Sequence, residues 1–317
     1  MSLRFCVLMP YFCATVASML AYLFALPFLY LIALLPMWAL YRVSDGLYLL
    51  LYRVLGYRRA VVWQNLSRAF PDKSEAERQA IMKAYYHHLC DLLLETFKLL
   101  TFSQKQLQRR CSFRNMEVFE QLAAQGRSCV AVMGHLGNWE WTGASAGTFV
   151  PHRIYALYKP LSNKYFDRLV YRMRSRFGTH LLSMHESVRY MMGNTAELSA
   201  TTFIADQTPA PQGAYWTTFL HQPTPIFWGT EKIARKLNLP VVYVGVYKRR
   251  RGYYEIVPEL LEAEPARTRP GELTERHTRR LEQDIYASPP YWLWSHRRWK
   301  HAPPTNWHHG ESLARND

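Results

Sequence analysis

Residues 128–141, SCVAVMGHLGNWEW, decide the fold of this chain, because an apolar run passes through glycines directly into the start of a helix. The run SCVAVM has the length of a buried strand. Asn138 is a residue type that commonly caps the N-terminus of a helix. The stretch therefore predicts a strand, a tight turn containing His135, and a helix whose first turn carries Glu140.

Strand and helix patterns alternate along the rest of the chain. Apolar runs at residues 153–158, 201–206, 240–247 and 253–257 predict strands, and the segments 163–177, 187–192, 227–238 and 272–286 predict helices. Ahead of them, Ser74 and Glu77 form a capping-box pattern before an apolar stripe. The stripe consists of Ile81, Ala84, Tyr85, Leu89, Leu92, Leu93 and Phe97. The alternation of strands and helices along the chain predicts an α/β fold with a mixed central sheet flanked by helices on both faces.

The pair His135 and Glu140 is a candidate catalytic site. A tight turn allows the carboxylate to reach one imidazole nitrogen, and the other nitrogen can then take a proton from a hydroxyl nucleophile. Unpaired N–H groups at the helix N-terminus offer a place where an oxyanion could form. The alternative is a histidine that caps the helix beside a glutamate that favours the helix dipole.

Residues 5–41 contain no charged side chain and are rich in Leu, Phe, Tyr, Ala and Met. This exceeds the roughly 20 apolar residues that span a bilayer, and it predicts an N-terminal membrane helix. Pro27 and Pro36 are expected to kink or end it. The arginines that follow place the rest of the chain on the cytoplasmic side of the membrane, as a single-pass protein. An interfacial or re-entrant segment that never crosses remains the alternative.

Charge and cysteine content narrow the function class. With 39 Lys and Arg against 24 Asp and Glu, the net charge is +15, which predicts attraction to a membrane surface, phosphorylated lipid, nucleic acid or an acidic protein. Five scattered cysteines fit reduced cytoplasmic thiols. No CxxC or His-x-x-x-His spacing occurs, so we expect no metal.

The motif GHLGNWE resembles the His-x-x-x-x-Asp/Glu signature of the lysophospholipid acyltransferase superfamily, in the Glu form of the bacterial lipid A late acyltransferases (lauroyl and myristoyl type). Further segments resemble the same family in order, over about residues 40–300. They are YRRAVVWQNLSRAFPDKSEAER, YKPLSNKYFDRLVYRMRSRFG, IADQTP, FWGTEKIARKLNLPVVYV and YWLWSHRRWK. The resemblance implies a glycerolipid acyltransferase-like fold, with His135 as the general base and Glu140 as its partner.

The resemblance also implies the reaction and its other residues. A fatty acyl chain would pass from a thioester, usually acyl-acyl carrier protein and otherwise acyl-CoA, to a hydroxyl of a phosphorylated lipid A precursor, without metal or cofactor. The implied substrate-binding residues are Asn138, Lys159, Arg174, Arg176, Asp206 and Gln207. Lys159 stands where the family often has arginine, and either Arg174 or Arg176 would contact phosphate.

Several of these residues also have a purely structural interpretation. Arg168, Arg172 and Arg176 recur along one helix, and a solvated face explains them as well as a phosphate site. Asp206 and Gln207 precede ThrPro and could simply form a turn. Trp139 and Trp141 could line an acyl groove or belong to the core.

The functional alternatives are the same chemistry on a glycerolipid or aminolipid acceptor, or a lipid-binding protein without catalysis. Nucleic-acid binding through SHRRWK is disfavoured by the N-terminal segment and by the lack of a nucleic-acid fold signature. We expect a membrane anchor at 1–42, an acyltransferase domain at 43–300 and a mobile tail at 301–317.

Overall fold

A computed structural model describes residues 3–193, 197–305 and 307, with the backbone alone for 3–17 and 185. The predicted tail from 301 onward lies mostly outside the described residues. The helices are α1 (Leu3–Leu34), α2 (Met37–Tyr48), α3 (Arg59–Ala69), α4 (Glu75–Lys98), α5 (Gln104–Gln108), α6 (Glu117–Ala124), α7 (Trp139–Ala146), α8 (Lys164–Ser175), α9 (Met184–Gly193), α10 (Gly229–Leu237) and α11 (Glu272–Ala287). The strands are β1 (Cys111–Phe113), β2 (Cys129–Met133), β3 (Arg153–Tyr158), β4 (His180–Ser183), β5 (Ser199–Ile204), β6 (Tyr215–Phe219), β7 (Gln222–Ile226), β8 (Val241–Arg250) and β9 (Tyr253–Glu262).

A seven-stranded sheet in the order β1-β9-β8-β2-β5-β3-β4 forms the centre of the molecule. β2, β3, β4, β5 and β8 run parallel, whereas β9 pairs antiparallel with β8 and parallel with β1. The predicted mixed α/β sheet is therefore confirmed. The short strands β1 and β4 and the separate hairpin of β6 and β7 were not predicted, because their few residues give little periodic signal.

The central strand β2 shows why helices cover both faces. All five of its residues are buried, and their side chains alternate between two apolar clusters, because successive strand residues point to opposite faces. Val130 and Val132 belong to the cluster that contains side chains of α3, α4, α10 and α11. Ala131 and Met133 pack with side chains of α5, α7 and α8 on the other face.

Helix α4 begins as the sequence predicts. Ser74 Oγ accepts a hydrogen bond from the N–H of Glu77 at 3.3 Å, and a Glu77 carboxylate oxygen accepts one from the N–H of Ser74 at 2.8 Å. The predicted stripe is confirmed only in part, because Ala84 and Leu93 are exposed. Helix α4 is buried on a wider arc than the stripe, since it packs against α1, α2, α3 and the segment Pro289–Tyr291.

The N-terminal segment forms two helices that break at Pro36, which has extended backbone angles, while α1 runs through Pro27. Lys98 Nζ donates hydrogen bonds to the carbonyl oxygens of Ala33 and Leu35 and so fixes the end of α1 to α4. In the part of the chain that the structure describes, none of the helices combines the length and apolarity that crossing a membrane requires. The predicted membrane-spanning helix is thus unsupported, and the expected boundary at residue 42 falls inside α2.

Candidate active site

The candidate site lies at the carboxyl ends of two neighbouring parallel strands. His135 follows β2 by two residues and Asp206 follows β5 by two. Since β2 and β5 pair in register from Cys129 opposite Ala200 to Met133 opposite Ile204, the residues beyond them emerge side by side. His135 Nδ1 lies 2.5 Å from Asp206 Oδ1.

Three donors surround the carboxylate of Asp206. Besides the imidazole, the backbone N–H of His135 and the indole Nε1–H of Trp292 each donate to Oδ2 at 2.7 Å. Burial by itself raises the pKa of this carboxyl, but the His135 charge and the hydrogen bonds outweigh burial and bring the pKa to about 2. Asp206 is therefore a carboxylate at neutral pH, and it holds the Nδ1–H tautomer of His135.

The second imidazole nitrogen faces a cavity of about 400 Å³. Nε2 carries the lone pair in this tautomer and lies 3.2 Å from the side-chain nitrogen of Gln207. The ring of Trp139 packs edge-on against the imidazole with centroids 5.0 Å apart. Nε2 is thus placed to accept a proton from a molecule in the cavity.

Polar and apolar side chains both line the cavity. The polar lining includes His135, Glu140, Lys159, Arg174 and Gln207, among which His135 contacts Gln207 and Glu140 contacts Arg174. The apolar walls come from strands β3 to β5 and helices α7, α9 and α10, and they include Ala144, Leu157, Leu181, Val188, Phe203 and Ile233. Such a lining suits an amphipathic ligand.

Glu140 does not have the position that its spacing from His135 suggests. Its two carboxylate oxygens accept hydrogen bonds from Arg174 Nε at 2.8 Å and Nη2 at 2.5 Å. The expectation that Glu140 orients the imidazole is corrected, because Asp206 holds Nδ1. Glu140 lies in the first turn of α7 and Arg174 in the last turn of α8, so the packing of these two helices brings the charges together. Burial lowers the pKa of Arg174, but the hydrogen bonds and charge of Glu140 raise it above its ordinary value.

The structure separates the two arginines that the sequence left equivalent. Arg174 lines the cavity, whereas Arg176 Nη1 donates to the carbonyl oxygen of Leu99 at 2.9 Å. Arg168 and Arg172 are exposed, as a solvated face would require. Contact of any of them with phosphate remains a prediction.

Asn138 and the glycines shape the turn. Asn138 Oδ1 accepts from the N–H of Trp141 at 2.9 Å, so the predicted N-cap is confirmed. Gly137 has φ +63°, and a Cβ there would lie 2.9 Å from the carbonyl oxygen of Val246. At Gly134 a Cβ would meet a Leu281 methyl at 2.6 Å and the Asp206 carboxylate at 3.2 Å. A side chain at either position would therefore shift the turn that carries His135.

The aromatic segment that contains Tyr291 and Leu293 forms hydrogen bonds with the backbone of the turn. Gly137 N–H donates to the carbonyl oxygen of Tyr291 at 3.0 Å, and Leu293 N–H donates to that of His135 at 3.1 Å. Among the described residues, no group of three or more His, Cys, Asp or Glu side chains is arranged to hold a metal ion. The site therefore presents a His–Asp pair, an Arg–Glu pair and a lysine around an apolar cavity.

Comparison with known proteins identifies the family of this chain. Residues 14–301 match the family of bacterial lipid A biosynthesis acyltransferases. The chain belongs to this family. It is an O-acyltransferase enzyme of the lipid A pathway, which implies an acyl donor and a lipid A acceptor.

Relatives within the family are distant in sequence. The chain is 24% identical over 277 residues to the lipid A biosynthesis lauroyltransferase of Escherichia coli K12, covering 87% of this chain and 90% of that one. It is 22% identical over 249 residues to the palmitoleoyltransferase of the same strain, covering 78% and 80%. The myristoyltransferase of that strain is 23% identical over 218 residues, 65% of each chain.

In this acyltransferase most residues of the candidate site were named from the sequence, and the structure gives some of them other contacts than expected. Asp206 and Gln207 were expected to shape the acceptor site, yet both contact the imidazole. Trp292 was not predicted, and its only signal is its place in the segment YWLWSHRRWK. The two tryptophans of the motif lie in different environments. Trp141 is fully buried in the core, and Trp139 lines the cavity.

Proposed function

We propose that this acyltransferase moves a fatty acyl chain from an acyl carrier protein thioester to a hydroxyl of a lipid A precursor, with His135 as the general base. The observation that carries the proposal is the placement of His135. Asp206 holds Nδ1 at 2.5 Å, and His135 lines a cavity with many apolar side chains. In the proposed complex the acyl chain occupies this cavity, and its thioester carbonyl carbon lies beside the base.

The proposed acyl transfer has two steps, addition to the thioester and expulsion of the thiolate. The acceptor hydroxyl gives its proton to Nε2 as its oxygen bonds to the thioester carbonyl carbon, and Asp206 stabilises the imidazolium that forms. The tetrahedral intermediate then expels the thiolate, which takes the proton back from His135. An ester and a free thiol are the products, and the enzyme returns to its starting state.

Glu140 and Arg174 act as a fixed pair beside the reacting centre. The bidentate contact holds the guanidinium at the cavity, where it and Lys159 supply positive charge for a phosphate of the acceptor. The N–H groups of Trp139 and Glu140, in the first turn of α7, lie next to the base and can stabilise the oxyanion. Asn138 acts by holding that turn in place.

The donor and the place of action follow from charge and surface. A net charge of +15 favours an acidic carrier protein as donor. Large apolar side chains of α1 and α2 are exposed, among them Phe24 and Trp38 at 74% and 73%. We propose that this surface lies in the cytoplasmic face of the inner membrane, next to the lipid acceptor.

A transfer assay tests the function directly. Purified protein is mixed with a lipid A precursor and an acyl donor. The donors are lauroyl, myristoyl or palmitoleoyl thioesters of either acyl carrier protein or coenzyme A. The mass of the lipid product is measured by mass spectrometry. We expect a mass gain of one acyl group from the carrier-protein donor and none with His135→Ala. An active His135→Ala would contradict the assignment of the base. Transfer to glycerolipid but not to the lipid A precursor would contradict the acceptor.

A further inference from the structure

Helix α4 buries a line of polar side chains beneath the catalytic turn. His88, Asp91 and Glu95 lie on successive turns and are exposed by 3%, 2% and 0%. Burial of charged groups is costly unless they are paired. Residues of this kind in a packed helix face therefore point to a role beyond packing.

Glu95 is surrounded by donors from three separate parts of the chain. Oε1 accepts from the hydroxyl of Tyr41 at 2.8 Å, and Oε2 accepts from Asn138 Nδ2 and from the hydroxyl of Tyr254, each at 2.7 Å. Burial raises the pKa of the carboxyl above its ordinary value, and the charge of Lys248 and the two hydroxyls offset this only in part. Glu95 thus joins α2, β9 and the catalytic turn.

Asn138 uses its two ends for different tasks. Its nitrogen donates to Glu95, while its oxygen accepts from the N–H of Trp141 and caps α7. The indole Nε1–H of Trp141 in turn donates to the carbonyl oxygen of Glu95 at 2.7 Å. Glu95 therefore selects which end of the amide faces the helix, and it fixes the point where α7 begins.

His88 holds the residue before Asn138. Lys248 Nζ lies 3.3 Å from His88 Nδ1 and also pairs with Asp91. Because the ammonium donates to Nδ1, the proton of this neutral imidazole is on Nε2, which donates to the carbonyl oxygen of Gly137 at 3.1 Å. Two adjacent residues of the turn, Gly137 and Asn138, are thus held from α4.

We propose that Glu95 is a positioning residue for acyl transfer, which acts through Asn138 to fix the turn between His135 and Glu140. The inference rests on the proposed function. Glu95 and Asn138 are absent from the described residues that line the cavity, so they act on the geometry of the reacting groups and not on substrate binding. A displacement of about 1 Å at a reacting group can lower the rate about 10²-fold.

Exchanging the donor and acceptor of the Glu95–Asn138 bond tests this role. Asn138→Asp keeps an oxygen for the helix cap but places two buried carboxylates against each other, and we expect kcat to fall about 10²-fold with KM within about twofold. Glu95→Gln alone should be mild, because its oxygen still accepts from Asn138. The double variant Glu95→Gln with Asn138→Asp restores the bond with reversed polarity, and its kcat should return to within about tenfold of wild type.

Ser44→Ala is the matched control. It deletes the buried 2.7 Å hydrogen bond from Ser44 to Asp91 in the same helix pair, so it should lower the melting temperature without changing kcat. If Asn138→Asp does not fold, Glu95→Ala replaces it, with the same loss of kcat expected. A double variant no faster than Asn138→Asp, or an unchanged kcat in Glu95→Ala, overturns the positioning role. An inactive wild type would instead overturn the proposed function.

Discussion

At the scale of single residues, the site depends on a buried carboxylate that stays charged. Asp206 is 5% exposed, yet three N–H donors and the imidazole charge stabilise the ionised form more than burial disfavours it. Glu140 is compensated separately by Arg174. The two carboxylates near His135 therefore have different partners and different expected effects when they are neutralised.

Asp206→Asn should lower kcat by about 10² to 10⁴, with KM within about twofold. A neutral amide cannot stabilise the imidazolium, and its N–H can donate to Nδ1 and so favour the tautomer that carries the proton on Nε2. Steady-state kinetics at saturating donor measure this. Glu140→Gln is the comparison, and we expect it to act mainly on KM through Arg174. If Asp206→Asn keeps the wild-type kcat and Glu140→Gln loses it, the imidazole depends on Glu140 and our assignment is wrong.

At the scale of elements, α1 and α2 expose an apolar surface that the core does not need. Leu31, Leu34 and Trp38 are more than half exposed although each is a large apolar side chain. The same helices are fixed to the body by polar contacts, such as Lys98 with the end of α1 and Tyr41 with Glu95. An exposed surface of this kind on a firmly attached element indicates a binding partner that is itself apolar.

Replacing Phe24, Leu31 and Trp38 together by serine should weaken binding to zwitterionic phospholipid vesicles by about two orders of magnitude. Each side chain that leaves the lipid loses roughly 1 kcal/mol of apolar burial. Co-sedimentation in high salt measures the apolar part alone. Leu260→Ser on β9, also an exposed leucine, should bind like wild type, and undiminished binding of the triple variant would show that the surface faces something other than lipid.

At the scale of the whole molecule, several buried or partly buried histidines link stability to pH. Burial lowers the pKa values of His88, His152, His277 and His296, and that of His277 falls to about 4. Among the residues that the structure describes, His277 Nε2 has no hydrogen-bond partner, and desolvation is what disfavours its charged form. Between about pH 6.5 and 4 the unfolded chain binds a proton at His277 and the folded chain does not. Stability is therefore full above this window and decreases as the pH falls through it.

His277→Leu should make the free energy of unfolding less dependent on pH in this window. One histidine contributes at most about 1.4 kcal/mol per pH unit, and the variant should lose about that much of the slope. Urea denaturation from pH 7 to pH 4.5 measures it. His221→Gln, at an exposed position, should keep the wild-type slope, and an equal slope in His277→Leu would contradict the buried neutral state.

The sequence by itself determined the features that short-range interactions set. The apolar run of β2, the Asn138 cap, the positive-φ Gly137 and the capping box of α4 all follow from neighbours within a few residues, and the structure has each of them. Local hydrogen bonds and backbone sterics are sufficient to specify such elements.

Only the tertiary structure decided which charges meet. Glu140 is five residues from His135 and Asp206 is 71 residues away, yet β2 and β5 are neighbours in the sheet, so the distant carboxylate reaches the imidazole. Likewise the rotation of α8 against α7, and not the spacing of its arginines, brings Arg174 to Glu140. Strand order and helix packing arise from long-range burial of apolar surface, which leaves no signal within any single segment, and so the sequence could name these residues but not pair them.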